Sequence, residues 1–235
     1  MTPVAQSLRI GGLTPMTTID YPGELAAVVF CQGCPWRCRY CHNGHLLAPG
    51  SGDRIPWSDV RAFLEQRTGL LDALVFSGGE PTLQATLPAA IKEARSLGFK
   101  IGLHTAGPYP DRLHRLLPFI DWVGLDIKAL PADYPAVTGV PDSGERTWES
   151  LALLLEAGIA LQVRTTVLPG WRDEPDLRPL TDRLVAVGVR NHILQHCRAE
   201  STLDPRLGRM GNPLLTATPV YRSDNDTRVV SRGMV

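Results

Sequence analysis

Cys34, Cys38 and Cys41 stand in Cys-Pro-Trp-Arg-Cys-Arg-Tyr-Cys, a C-x3-C-x2-C run with an aromatic residue just before the last thiol. Thiolates are soft ligands. Three this close can hold three irons of a cubane cluster and leave the fourth iron without a protein ligand. An open iron is a place for chemistry, whereas a fully ligated cluster mainly stores or passes electrons. Structural zinc is the alternative reading of the same trio. Zinc usually takes four ligands arranged as two short pairs; no second C-x2-C follows, so His42 or His45 would have to complete the set.

Three further groups could do chemistry. In Gly78-Gly79-Glu80 the glycines let backbone approach a ligand closely, and the Glu80 carboxylate can receive an ammonium group by a charge-assisted hydrogen bond. A turn before a helix is the plainer reading of the tripeptide alone. Asp126 and Lys128, in Gly124-Leu-Asp-Ile-Lys128, are two apart and share a side if the segment is a strand. An exposed pair would contribute only ~0–1 kcal/mol, but this stretch is otherwise apolar. Arg164 can grip a carboxylate bidentately or serve as a structural salt bridge.

The elements that must position these groups read as alternating strands and helices. Leu25 to Phe30 is a buried strand leading directly into the cysteine loop. Ala73 to Phe76 is a second, ending at Ser77-Gly-Gly-Glu-Pro81, and a helix with Leu87, Ala90, Ile91, Ala94 and Leu97 on one face stops near Gly98. Strands over Phe99–Leu103, Trp122–Ile127, Ile159–Val167 and His192–Gln195 follow. Helical stretches around Leu113–Leu117, Leu151–Leu155 (stopped by Gly158) and Leu177–Val187 lie between them. This alternation implies parallel β-α units. About six strands are too few to close an eight-stranded barrel, so the expected fold is α/β, a partial open (β/α)6 TIM-like barrel. Its active residues would gather where the strands end.

The bulk numbers set bounds. At 235 residues the chain suits one α/β domain, expected over residues 1–200. Residues 201–235, rich in Pro, Gly, Asn, Asp and Arg, read as a polar tail, loosely packed or partly disordered. With 24 basic and 24 acidic residues the formal charge is +0, and nothing suggests a footprint for nucleic acid or an anionic membrane. No apolar run approaches the ~20 residues of a spanning helix, and the N-terminus lacks the signature of a signal peptide. A cytoplasmic protein is expected. Five cysteines, three of them within eight residues, suit a metal site in a reducing compartment better than a disulfide framework.

The cysteine run, followed one strand later by Gly78-Gly79-Glu80, resembles the radical S-adenosylmethionine (SAM) superfamily. There the open iron binds the methionine end of SAM and the Gly-Gly-Glu motif binds its amino group. Within that superfamily the chain resembles the glycyl-radical enzyme activases, in particular those serving anaerobic ribonucleoside-triphosphate reductase. The residues carrying this likeness are Met16-Thr-Thr-Ile-Asp-Tyr-Pro-Gly23, Phe30-Cys-Gln-Gly-Cys34, Tyr40-Cys-His-Asn43, Ser77-Gly-Gly-Glu-Pro-Thr-Leu-Gln84, Asp126-Ile-Lys128 and Val167-Leu-Pro-Gly-Trp171. It runs from about Leu8 to Arg198.

The resemblance implies a 4Fe-4S cluster on Cys34, Cys38 and Cys41. It implies a SAM site drawing on Tyr40 (near the adenine), Gly78, Gly79, Glu80, Asp126, Lys128 and Arg164. One electron from the reduced cluster would cleave SAM to methionine and a 5′-deoxyadenosyl radical, which takes a hydrogen from a glycine α-carbon of a partner enzyme. The implied partners are a glycyl-radical enzyme, anaerobic ribonucleotide reductase, and a flavodoxin- or ferredoxin-type electron donor. No catalytic acid–base residue is required beyond the cluster and SAM.

Some residues depart from the pattern. His104, in Leu-His-Thr-Ala-Gly107, stands where activases often carry aspartate, which puts any monovalent-cation site of the relatives in doubt; a satisfied structural histidine is the favoured reading. Cys197 stands where an aromatic is expected. Cys31 and Cys197 are read as thiols outside the cluster, and Trp36, Trp57, Trp122 and Trp171 as packing. Three rivals remain: a radical SAM enzyme acting on a small molecule, as in 7-deazapurine synthesis, a non-SAM iron–sulfur electron-transfer protein, and a zinc-binding module.

Overall fold

A parallel strand covered on both faces must be apolar nearly throughout, and Ala-Ala-Val-Val-Phe-Cys at residues 26–31 has that character. The computed structural model describes residues 4–50, 53–167, 177–197, 202–208, 219–220 and 228–229. Its main sheet has seven strands in chain order: β1 (Ile10–Thr17), β2 (Ala26–Cys31), β3 (Ala73–Gly78), β4 (Lys100–Thr105), β5 (Trp122–Asp126), β6 (Ala160–Val167) and β7 (His192–His196). β2 to β7 pair in parallel, each beside its predecessor. β1 and β7 are the two edges, so the sheet is open. The expected α/β partial barrel is present, six parallel strands with one antiparallel addition.

That addition, β1, was not legible in the sequence. It pairs antiparallel with β2 from Ile10 opposite Cys31 to Thr17 opposite Ala26, with register irregularities between Ile10 and Gly12 and between Thr14 and Thr17. Gly11, Gly12 and Pro15 spoil its period. Proline lacks the N–H that a central strand needs and is tolerated only at such an edge.

The crossovers carry α1 (Trp57–Glu65), α2 (Leu87–Ser96), α3 (Pro110–Leu116), α4 (Tyr134–Thr138) with α5 (Ser143–Glu156), and α6 (Arg178–Ala186). A four-residue α7 (Pro205–Gly208) and a small pair, β8 (Pro219–Val220) with β9 (Arg228–Val229), follow. Helices α2 and α5 end two residues before Gly98 and Gly158, as the sequence indicates. Leu168–Trp171, Arg198 and most of the expected tail lie outside the described residues. Among the described residues no helix is long and apolar enough to cross a membrane.

The two faces of the sheet do different work, and the period of two sorts the residues between them. Ala27, Val29, Leu74, Phe76, Ile101, Leu103, Val123, Leu125, Val163 and Val167 join the helices' buried residues in one large core. Fully burying each large aliphatic side chain there contributes about 1.5–3 kcal/mol. The alternate residues form a separate inner cluster of Ala26, Val28, Ala73, Val75, Trp122 and Tyr21. It is apolar toward the strand starts, where Tyr21 stacks on Trp122 with ring centroids 5.2 Å apart. Farther along the same face the residues turn polar: Ser77, His104, Asp126, Lys128 and Arg164. The sheet is thus plugged at one end and furnished for chemistry at the other.

Candidate functional site

The three cysteines lie in the loop leaving β2. Its inward residues alternate with outward ones: Trp36, Cys38 and Tyr40 are buried, Arg37 is exposed and Arg39 half-buried. Trp36, Cys38 and Tyr40 pack with Ala129, Tyr134 and Val137, and Cys34 and Cys41 border this group. The Cys41 amide donates to the Cys38 carbonyl at 2.9 Å, closing the turn between those two thiols. All five cysteines are free thiols. Burial pushes Cys34 up to about 12 and raises Cys38 and Cys41, while the Lys128 charge pulls all three down. A bound metal has to supply the remaining charge that turns them into thiolates.

The donor set fits the cubane implied by the spacing. A cubane spreads its irons, one for each thiolate. Three sulfurs, a charged lysine acting on all of them and a partly exposed Cys34 and Cys41 provide the soft donors, the compensating charge and an opening.

The loop after β3 meets the cysteine loop backbone to backbone. The Gly79 amide donates to the Cys31 carbonyl at 2.8 Å and the Glu80 amide to the Gly33 carbonyl at 2.8 Å. A Cβ on Gly79 would stand 2.4 Å from the Gly33 oxygen, and one on Gly78 2.5 Å from the Cys31 nitrogen. The close approach these glycines make is therefore to the neighbouring loop, which locks the two strand ends together. Asn43 adds a third tie, its side-chain amide donating to the Gly78 carbonyl at 3.3 Å.

Glu80 is 1% exposed and already well supplied with donors. Its Oε1 accepts from the Thr82 amide at 3.0 Å, from the Thr82 hydroxyl and from the Thr105 hydroxyl at 2.7 Å; its Oε2 accepts from the Ala106 amide at 3.0 Å. Burial raises the carboxyl and these hydrogen bonds oppose that rise. Oε2, with a single protein donor, keeps a lone pair for a further one.

Asp126, Lys128 and Arg164 come together on the inner face. Arg164 Nε donates to Asp126 Oδ1 at 2.9 Å, and Lys128 Nζ to Asp126 Oδ2 at 3.4 Å. Burial opposes ionisation of Asp126, but the two cations outweigh it and bring its carboxyl down to about 2. Burial likewise works against the Lys128 charge, and the groups around it, Asp126 among them, hold it well above its ordinary value. Two cations against one carboxylate leave one positive charge, which suits an anionic ligand group. Lys128 Nζ lies 5.5 Å from the centroid of the Tyr40 ring, a cation–π contact tying this trio to the cysteine loop. The Tyr134 hydroxyl accepts from the Lys128 amide at 2.9 Å and fixes its backbone.

His104 faces the same interior without joining the trio. Its Nε2–H donates to the Asp20 carbonyl at 2.8 Å, and the Ser77 hydroxyl meets Nδ1 at 3.3 Å. Its ring also packs edge-on against Trp122, centroids 5.4 Å apart. Burial and the Arg164 charge lower it to about 3, so the ring is neutral. It is a satisfied structural histidine, and it gives the Met16–Gly23 motif a role: that loop reaches into the sheet with Asp20 and Tyr21.

Asn43, Thr105 and Tyr134 support the site, and sequence reasoning gave none of them a role of its own. Asn43 stood inside the quoted Tyr-Cys-His-Asn motif and carried a signal. Thr105 reaches Glu80 across 25 positions, a pairing that no local pattern signals, and Tyr134, six residues from the Lys128 amide that it receives, has no spacing that marks the contact.

The comparisons agree with this geometry. The sequence profile of the radical SAM superfamily matches residues 28–177. A protein of Methanocaldococcus jannaschii that is named, without a demonstrated activity, as a glycyl-radical enzyme activating enzyme is 30% identical over 181 residues, 73% of each chain. Pyruvate formate-lyase 1-activating enzyme of Escherichia coli is 31% identical over 180 residues, 72% of this chain and 71% of the relative. Among solved structures, Streptococcus suis SuiB bound to S-adenosylmethionine superposes with a TM-score of 0.59 at 15% identity, over 76% of this chain. This chain spans 44% of SuiB, so that likeness speaks to the fold. With the cysteine loop, the strand-end cradle and the profile in agreement, the chain belongs to the radical SAM superfamily, whose members hold a 4Fe-4S cluster and bind S-adenosylmethionine.

Proposed function

We propose that the chain is a glycyl-radical enzyme activating enzyme, and that its partner is an anaerobic ribonucleotide reductase. The observation that carries the activase reading is the likeness to two proteins named as activating enzymes over more than 70% of both partners' lengths. The narrower choice of partner rests on the quoted motifs, from Met16–Gly23 to Ser77–Gln84. When bound, the cluster supplies one electron that cleaves SAM to methionine and a 5′-deoxyadenosyl radical able to take a glycine hydrogen.

The chain's own residues bind and orient. Cys34, Cys38 and Cys41 hold the cluster. Glu80 Oε2, with the Gly78–Gly79 backbone, receives the SAM ammonium. The net positive trio of Lys128, Arg164 and Asp126 receives its carboxylate, and Tyr40 flanks the adenine. The cofactor does the bond chemistry and the protein supplies position and charge. The protein works in the cytoplasm, where its thiols stay reduced.

The test is electron paramagnetic resonance after anaerobic incubation of reduced protein and SAM with candidate partners. A glycyl doublet on the anaerobic reductase supports the full reading. A doublet only on a pyruvate formate-lyase keeps the activase and overturns the partner. No doublet on any glycyl-radical enzyme, with SAM cleavage intact, moves the protein to a small-molecule substrate.

A further inference from the structure

Strand pairing holds β4 and β5 together only as far as Thr105 opposite Leu125. Beyond that point both segments leave the sheet, and a buried backbone carbonyl that has lost its ladder partner needs another donor. The residues concerned border the proposed SAM site. Thr105 and Ala106 supply two of the donors that hold Glu80, and the Gly107 amide donates in turn to the Thr105 hydroxyl at 3.0 Å. On the β5 side, Lys128 and Ala129 follow Asp126 and are buried.

Helix α5 supplies the donors. The Thr147 hydroxyl donates to the Ala106 carbonyl at 2.9 Å, sharing its hydrogen with the Ser143 carbonyl of its own helix at 3.0 Å. The Ser150 hydroxyl donates to the Gly107 carbonyl at 2.9 Å. Between them in sequence, the Trp148 indole N–H donates to the Ala129 carbonyl at 3.1 Å. Thr147 and Ser150 are three apart, so they share one face of the helix, and both are fully buried. Gly107 lets the helix come this close: its φ is 68°, and a Cβ there would stand 2.8 Å from Ser150. One helix thus grips two strand ends at once, β4 through its hydroxyls and β5 through its indole.

We propose that Thr147 is a positioning residue of the SAM site, through which α5 sets Glu80 against the trio of Asp126, Lys128 and Arg164. The inference rests on the SAM-site reading given above. The ammonium and carboxylate of SAM stand on one carbon, so the groups that receive them must keep a fixed spacing, and a shift of about 1 Å loses the match. Glu80 follows β3 and the trio belongs to β5 and β6, with β4 between them. Pairing in the sheet spaces the strands, but it does not reach the segments past their ends. Thr147 acts on Glu80 through Ala106, whose carbonyl accepts from Thr147 while its amide holds Oε2, the oxygen left with a lone pair for the ammonium. Trp148 acts on Lys128 through the carbonyl of the next residue.

The test is calorimetric titration of the anaerobically reconstituted full chain with SAM and, separately, with 5′-methylthioadenosine, a nucleoside that lacks the amino-acid end. Thr147→Val keeps the shape of the side chain and removes its hydroxyl. Its dissociation constant for SAM is expected to rise about tenfold, while that for methylthioadenosine stays within about twofold of wild type. Thr147→Ser, which keeps the hydroxyl, should restore SAM affinity to within about threefold. A Thr147→Val protein that binds SAM within about twofold of wild type overturns the proposal. So does an equal loss for both ligands, which marks a role in folding alone, and so does a serine variant as weak as the valine one. Where the nucleoside binds too weakly to titrate, the serine variant decides. If Thr147→Val does not fold or take up iron, Ser150→Ala is titrated instead: loss of SAM affinity alone supports the proposal, and no loss or an equal loss overturns it. A wild-type protein that does not bind SAM contradicts the radical SAM reading itself.

Discussion

At the scale of single residues, the interior polar groups are set by neighbours that leave little freedom. His104 and His192 are both buried and lowered, to about 3 and about 4. The His192 Nε2 pairs with the Thr165 hydroxyl at 2.9 Å, and that hydroxyl donates to the Ile127 carbonyl at 2.7 Å. Each ring is neutral in the fold, whereas the unfolded chain takes up a proton below about 6.5. The unfolded state then holds more protons, so stability falls as pH drops from about 6.5 toward the folded values. The slope is up to about 1.4 kcal/mol per pH unit for each histidine. Denaturant midpoints of the metal-free protein between pH 7 and pH 4.5 should show this slope, and His104→Gln should remove its share. Gly124 is as tightly held: a Cβ there would meet Trp122 at 2.8 Å, His104 at 3.0 Å and Arg164 at 3.1 Å. Gly124→Ala is expected to cost about 1–3 kcal/mol by overpacking and, by displacing Arg164 from Asp126, to weaken SAM binding in a calorimetric titration.

At the scale of elements, the cysteine loop is held from three sides: by the β3 loop through Gly79 and Glu80, by α4 through Val137 and Thr138, and by a strap, residues 202–208, through Asp204. Asp204→Asn removes the charge that holds Arg39 and Arg206 together. Tryptic cleavage at Arg206 should then rise several-fold while cleavage within the sheet stays unchanged; equal cleavage of both proteins would show the strap to be held by Leu207 alone, packed with Trp36, Cys38 and Tyr40. The sequence made the strands and the cysteine loop legible because both depend on local pattern: apolar runs, spacing and glycine stops. The strap was not legible. Residues 202–208 have a polar, turn-rich composition, and what orders them is an ion pair with a residue 165 positions away. Edge strand β1 was hidden for a related reason, since its order comes from pairing with β2 rather than from any period of its own.

At the scale of the whole molecule, six parallel strands wound in one direction bring every proposed ligand-binding residue to one edge, beyond an apolar plug of Tyr21 and Trp122. Cys34 and Glu80 are far apart in the chain, yet their loops are joined because β2 and β3 are neighbours; β5 and β6 do the same for Asp126 and Arg164. That juxtaposition could be read from the alternation of elements. The occupancy of Glu80 by four protein donors could not, since it depends on where Thr82, Thr105 and Ala106 end up in space. The central claim, that this edge cleaves SAM at a cluster held by three thiols, is tested most directly by 5′-deoxyadenosine formation. The anaerobically reconstituted, dithionite-reduced protein should produce it from SAM, and the Cys38→Ala variant should produce none. A wild-type protein that holds its cluster but leaves SAM intact under several reductants would contradict the account.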